Sequence, residues 1–103
     1  QRLLVRSTDG GVTFTSLTPQ PALLDASCNA GFARYRHGGR DLLLFTNAAA
    51  PDRRNLALRA SADSGHTWSS PLTLHRGPAA YSTVLPLSDG SVAVLYEAGR
   101  RSY

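Results

Sequence analysis

An octapeptide pattern occurs twice in the chain, and its spacing restricts the folds that the chain can adopt. Residues 7–14 read Ser-Thr-Asp-Gly-Gly-Val-Thr-Phe and residues 61–68 read Ser-Ala-Asp-Ser-Gly-His-Thr-Trp, so both follow Ser-x-Asp-x-Gly-x-Thr-aromatic. The shared positions are Ser7, Asp9, Gly11, Thr13 and Phe14 in the first copy and Ser61, Asp63, Gly65, Thr67 and Trp68 in the second. A repeat with a period of about 50 residues is typical of arrays such as propellers.

The residue types of the octapeptide predict a structural turn between two strands. Asp9 and Asp63 can accept hydrogen bonds from the backbone of their own turn, and glycine supplies a conformation that other residues resist. We expect the aromatic residue of each copy, Phe14 or Trp68, to tuck under its loop. Both aspartates are therefore interpreted as structural carboxylates in peripheral turns, and both aromatic residues as loop anchors rather than sugar platforms.

Strand-like runs fill the sequence around the two copies. Apolar and polar residues alternate in the run 55–60, and no window shows the helical period of about 3.6 residues. The predicted strands lie near 30–36, 41–47, 55–60, 72–75, 81–86 and 91–96, with hairpin turns at 37–40 and 87–90. Four short antiparallel strands in about 50 residues are typical of a propeller blade. We therefore predict an all-β chain that forms part of a β-propeller.

The strand count predicts about two blades of four-stranded antiparallel sheet in one partial domain. Residues 1–27 are expected to end one blade, residues 28–77 to form a complete blade and residues 78–103 to form the first half of the next. Because a propeller needs at least about four blades to close its ring, we expect the chain to be a piece of a longer domain. Unpaired strand edges then favour self-association.

Composition argues against several classes of function. The net charge is +4, but the eleven basic residues are all arginine and are scattered, which argues against a nucleic-acid surface. No apolar run approaches the ~20 residues of a membrane-spanning helix. The single cysteine, Cys28, cannot form an internal disulfide and is interpreted as a small buried residue, and no histidine or cysteine cluster has metal-ligand spacing. We expect neither a metal nor a cofactor.

The two octapeptides resemble the Asp boxes of sialidases and of several propellers that are not enzymes. The segments around the second copy, taken in order, are similar to the C-terminal part of the catalytic domain of bacterial exo-α-sialidases, or neuraminidases. This resemblance implies a six-bladed propeller and an activity that releases terminal sialic acid from glycoconjugates, by hydrolysis or by transfer to another sugar. It also implies a secreted or extracellular protein.

One of these segments carries an arginine. Phe-Thr-Asn at 45–47 and Arg-Arg-Asn-Leu-Ala-Leu-Arg-Ala-Ser at 53–61 resemble a sialidase segment whose arginine lies eight residues before the Asp-box serine. The matching residue is Arg53, and the resemblance implies that it belongs to a triad that grips the sialic acid carboxylate. A guanidinium suits this task because its planar fork pairs with both carboxylate oxygens. Ala48 departs from the family, which has proline there.

Two further segments carry the remaining candidate site residues. Tyr-Ser-Thr at 81–83 with Leu-Tyr-Glu at 95–97 resembles the segment of the catalytic tyrosine. Sialidases use a tyrosine nucleophile, which implies that role for Tyr81, while Glu97 would orient another arginine of the triad. Cys-Asn at 28–29 resembles a Cys-Gln segment whose glutamine approaches the substrate, so Asn29 is a candidate substrate-binding residue, shorter by one methylene.

Other roles remain open for each of these residues. Tyr81 also suits a packing role at a strand start, Arg53 a solvated loop, and Glu97 a charged edge strand that discourages aggregation. The family's acid/base aspartate, activating glutamate and other two arginines have no match in residues 1–103, so we expect this chain alone to be inactive. The alternative function is a non-catalytic Asp-box propeller that binds glycans or proteins.

Overall fold

Seven β-strands in two antiparallel sheets make up the computed structural model, which describes residues 2–100. The strands are β1 Arg2–Leu4, β2 Thr18–Gln20, β3 Gly31–His37, β4 Arg40–Ala48, β5 Arg54–Ser61, β6 Leu72–Pro86 and β7 Val92–Ala98. Strands β1 and β2 form a small sheet, and the other five form a sheet in the order β3-β4-β5-β6-β7. No helix occurs among the described residues, so the prediction of an all-β chain is confirmed.

The hairpin predicted at residues 37–40 is present between β3 and β4. Its register runs from Gly31 opposite Thr46 to His37 opposite Arg40. The two turn residues, Gly38 and Gly39, both have positive φ angles of 57° and 78°. Two successive positive φ angles define the turn whose twist matches that of the flanking strands, which explains why this Gly-Gly pair closes the hairpin so tightly.

Strand β6 differs from the prediction, which placed separate strands at 72–75 and 81–86. The structure runs them together as one strand of 15 residues, whose first part pairs with β5 and whose second part pairs with β7. Proline in a strand is tolerated where no ladder bond needs its missing N–H. Pro78 stands where β6 changes partner, and Ala79 N–H there donates to the Arg53 carbonyl. The predicted blade boundary at 77/78 thus falls inside β6, and the division of residues 1–103 into blades stays a prediction.

Strand β4 is covered on both faces, which explains a buried run without alternation from Leu44 to Ala48. On one face Thr46, which is fully buried, meets β6. On the other face the ring of Phe45 lies 6.0 Å from that of Trp68. Cys28 is buried beside three alanines at the end of this core, as its interpretation as a small apolar residue predicts.

Gly31 lets β6 approach β3 and β4 closely. A Cβ atom built at Gly31 would lie 2.8 Å from the backbone nitrogen of Val84 and would clash with the side chain of Thr46. The backbone nitrogen cannot move away without shifting β6. The absence of a side chain at position 31 is therefore a condition for the contact between β6 and the other strands.

Each octapeptide folds into the same hydrogen-bonded turn. In the second copy, Ser61 Oγ donates to Asp63 Oδ1 at 2.8 Å and accepts the Gly65 amide at 2.8 Å, while the Thr67 amide and hydroxyl donate to the two oxygens of Asp63 at 2.8 and 2.5 Å. The equivalent bonds of the first copy have nearly the same lengths. The carboxylates thus act inside their own turns.

The aromatic residues of the two turns differ. Trp68 packs on Phe45 and its Nε1–H donates to Gln20 Oε1 at 3.4 Å, so it bridges the two sheets. Phe14 is 61% exposed, although the end of its ring lies 3.9 Å from a Cβ atom built at Gly11, so it contacts its own loop without being buried.

We predict that Gly31→Ala lowers the free energy of unfolding by about 1–3 kcal/mol, because the new methyl group overpacks the β3–β6 contact. Chemical denaturation of the purified chain measures this loss. Gly77→Ala is the matched control, since the nearest atom to its added Cβ, 3.1 Å away, belongs to a side chain, the ring of His75, and not to the backbone. Equal losses in both variants would contradict the argument.

The turns also predict a pH dependence of stability. The pKa of Asp63 is held well below its usual value of 3.8, first by the Thr67 hydroxyl, then by the Thr67 amide and the Ser61 hydroxyl. A depressed folded-state pKa adds stability that is complete above pH 3.8 and is lost as pH falls toward the folded value. Between about pH 6 and pH 4 the Asp63 contribution should stay constant, and it should fall between about pH 4 and pH 2.

Denaturation midpoints are measured over this pH range for the natural chain and for Asp63→Asn. The difference between the two proteins isolates the contribution of the Asp63 carboxylate from those of the other acids. The difference between the two proteins should shrink on acidification. A difference that stays constant down to about pH 2 would rule out the linkage.

Candidate active site

Three of the four candidate site residues line one open pocket of about 490 Å³. Asn29 comes from the segment before β3, Tyr81 from β6 and Glu97 from β7. The remaining lining residues are Ser82, Thr83, Leu95 and Tyr96. The pocket thus combines chain segments that are up to 68 positions apart, from Asn29 to Glu97.

Arg53, the fourth candidate residue, lies beside Tyr81 and does not itself line this pocket. Its guanidinium carbon lies 5.9 Å from the centroid of the Tyr81 ring, within the range of a cation–π contact. Two bonds hold the arginine there: its Nη2 donates to the Ser27 carbonyl at 3.2 Å, and its own carbonyl accepts the Ala79 amide at 3.0 Å. The neighbouring Arg54 instead pairs with Asp52 at 3.0 Å. The arginine chosen from the motif is the one beside the tyrosine.

Tyr81 presents its side chain outward at the mouth of the pocket, where the residue is 45% exposed. Its backbone amide donates to Glu97 Oε1 at 3.0 Å. Within residues 2–100, Glu97 forms no ion pair with an arginine. Its predicted role in orienting an arginine therefore stays a prediction, and its observed partner is Tyr81.

Asn29 is exposed at the pocket edge. Its backbone carbonyl accepts the Ser82 amide at 3.3 Å, which fixes the segment before β3 against β6. The contact between its side chain and a substrate stays a prediction.

A buried hydroxyl pair beneath Tyr81 was not singled out by the sequence analysis. The Oγ atoms of Thr46 and Ser82 lie 3.0 Å apart, and Ser82 Oγ also donates to the Thr46 carbonyl at 3.1 Å. Both residues stand inside quoted motifs, Phe-Thr-Asn and Tyr-Ser-Thr, but nothing in a single sequence signals that they meet. The pair ties β4 to the residue that follows Tyr81.

A larger groove of about 910 Å³ adjoins the candidate site, and Asn29 and Ser82 line both. It runs between β1 and the β3–β4 face, where apolar side chains such as Leu3, Phe32 and Trp68 line it. We assign the site to the smaller pocket because Tyr81 and Glu97 line it and the Arg53 guanidinium lies beside the Tyr81 ring. The groove is the space between the two sheets.

Among residues 2–100, no three His, Cys, Asp or Glu side chains are grouped so that they could hold a metal ion. The same part of the chain contains no helix that is long and apolar enough to cross a membrane.

The arrangement of antiparallel strands with two Asp boxes defines a class, the propellers built from BNR repeats. Residues 1–94 match the family described as BNR repeat-like domain. The chain belongs to this family, and its fold is that of part of a BNR-repeat propeller. The predicted fold class is thereby confirmed.

Within this class, the chain is similar to bacterial sialidases. A protein named sialidase from Micromonospora viridifaciens is 34% identical over 105 residues, which cover 95% of this chain and 16% of the relative. A sialidase of Vibrio cholerae serotype O1 is 33% identical over 102 residues, which cover 88% of this chain and 13% of the relative. The chain thus spans about one sixth or less of the length of these curated relatives.

We predict that the buried hydroxyl pair couples β4 to β6. Thr46→Val and Ser82→Ala should each lower the free energy of unfolding by about 1 kcal/mol, and the double variant should cost less than the sum by about 0.5 kcal/mol. Urea denaturation of the four proteins of this cycle measures the coupling. Thr83→Val, at an exposed neighbouring position, is the control and should change stability by less than about 0.5 kcal/mol. Strict additivity would show that the two hydroxyls act independently.

Proposed function

We propose that this segment supplies the nucleophile and a substrate-gripping arginine to the active site of an exo-α-sialidase, a retaining glycosidase that releases terminal sialic acid. The observation that carries the proposal is the position of the Arg53 guanidinium 5.9 Å from the Tyr81 ring. Similarity to two bacterial sialidases over most of the chain supports it.

The chemistry of sialic acid explains why these two groups belong together. Its carboxylate is bonded directly to the anomeric carbon, so a group that binds the carboxylate must lie beside the group that attacks the carbon. Arg53 offers a planar fork of donors for the carboxylate. Tyr81 offers a phenol, which brings less negative charge toward the substrate carboxylate than an Asp or Glu nucleophile does.

In the proposed reaction, Tyr81 Oη bonds to the anomeric carbon as the bond from that carbon to the leaving oxygen breaks. A base receives the phenolic proton and an acid protonates the leaving oxygen. Water, or another sugar in a transfer reaction, then displaces the tyrosine. Arg53 holds the carboxylate throughout, and Asn29 contacts the sugar. Glu97 orients a further arginine of the carboxylate site.

A chimaera tests this proposal. Residues 1–103 replace the aligned segment of the Micromonospora viridifaciens sialidase, and hydrolysis of a fluorogenic sialoside is measured. We predict that Tyr81→Phe lowers kcat/KM by at least about 10³-fold, because the covalent step is lost. Tyr96→Phe is the matched control: Tyr96 lines the same pocket, and loss of its hydroxyl should change kcat/KM by less than about threefold.

A second readout identifies the attacked residue directly. A 3-fluorosialyl fluoride carries a leaving group that needs no protonation, and its ring fluorine slows hydrolysis of the adduct. Mass spectrometry should find the label on the peptide that contains Tyr81 and not in the Tyr81→Phe variant. An active chimaera that is indifferent to Tyr81→Phe would overturn the nucleophile assignment. A folded but inactive chimaera would favour the non-catalytic glycan- or protein-binding domain.

A further inference from the structure

The ladder between β6 and β7 contains an irregularity at Tyr81. Ala79 pairs with Ala98, and the next pair along the ladder joins Ser82 to Tyr96. Three steps along β6 therefore match two steps along β7. This count defines a β-bulge, in which two residues of β6, Ala80 and Tyr81, lie opposite one residue of β7.

The bulge changes which face of the sheet Tyr81 occupies. Ala79 and Ala80 are both buried, at 0% and 2% exposure, although they are consecutive in a strand. After them the alternation is regular: Tyr81 is exposed, Ser82 is buried and the next residue is exposed. Without the extra residue, a period of two starting from buried Ala79 would turn Tyr81 inward. The bulge therefore places the phenol on the open face.

A bulge leaves one residue of the ladder without its regular partner, and the register assigns none to Tyr81. At this exposed position the N–H can take water or a side chain as a substitute acceptor. Glu97 supplies it, because it is the β7 residue opposite the bulge and its Oε1 accepts the Tyr81 amide at 3.0 Å. Such a bond to an ionised carboxylate is stronger than a neutral one.

We propose that Glu97 is a positioning residue for Tyr81: its carboxylate closes the β-bulge at the Tyr81 amide and thereby fixes the phenol on the open face beside Arg53. The relevance of this contact to catalysis rests on the proposed function, whereas the contact itself does not. The role differs from the orientation of an arginine, because it requires an acceptor of the right reach rather than a negative charge.

Two conservative substitutions distinguish the effect of the length of the Glu97 side chain from the effect of its charge. Glu97→Gln keeps a side-chain oxygen at the same distance from the backbone and removes the charge. Glu97→Asp keeps the charge and shortens the side chain by one methylene group. Asp41→Asn is the matched control for loss of one negative charge, since Asp41 pairs with Arg34 on the surface at 2.6 Å and lies in the β3–β4 hairpin.

Amide hydrogen exchange of the isotopically labelled chain, followed by NMR, provides the readout, with no sialoside present. In Glu97→Asp, exchange at the Tyr81 amide should rise by about tenfold or more, because the bond to its acceptor is lost. In Glu97→Gln the rise should be about threefold at most, because a neutral acceptor remains. The Thr83 amide, in the regular part of the ladder, should change in neither variant, nor should any amide of β6 in Asp41→Asn.

Contacts between the Tyr81 ring and the Arg53 side chain report the position of the phenol. Nuclear Overhauser effects between the Tyr81 ring and the Arg53 side chain should persist in Glu97→Gln and weaken in Glu97→Asp. The proposal would be overturned if the Tyr81 amide of Glu97→Asp exchanged at the same rate as in the natural chain, or if both substitutions changed that rate equally. None of these measurements depends on turnover of a sialoside. An inactive chimaera would therefore contradict the proposed function, whereas only the exchange data decide the positioning role of Glu97.

Discussion

The structure depends on one close backbone contact, the passage of β6 over Gly31. Because Gly31 has no side chain, Val84 and Ser82 can approach β3 and β4 closely enough for a buried hydroxyl bond to Thr46. This contact fixes the second half of β6, while pairing with β5 fixes the first half. The strand is thus shared by two pairings, and the candidate site lies where it passes from one to the other.

The site itself is assembled from segments that no single element connects. Arg53 precedes β5, Tyr81 lies in the middle of β6 and Glu97 is near the end of β7. Backbone hydrogen bonds between these segments, rather than side-chain packing alone, set their spacing: Ala79 binds the Arg53 carbonyl and Ser82 binds the Asn29 carbonyl. A guanidinium and a phenol are thereby presented together on an open face.

The features that the sequence predicted well are those made within short stretches of chain. The Asp-box bonds lie within each octapeptide and the β3–β4 hairpin closes over two glycines, so residue type and spacing suffice to foresee them. The continuity of β6, the exposure of Phe14 and the meeting of Thr46 with Ser82 depend on what lies across space. A local pattern carries no information on such partners, and Gly-Pro at 77–78 is typical of a break.

The position of Trp68 has a spectroscopic consequence. It is the chain's single tryptophan, and its ring lies between Phe45 of the larger sheet and Gln20 of the smaller one. Indole emission therefore responds to water entering the seam between the sheets, even while the five-stranded sheet stays intact. The fluorescence of Trp68 is thus an intrinsic probe of the contact between the two sheets.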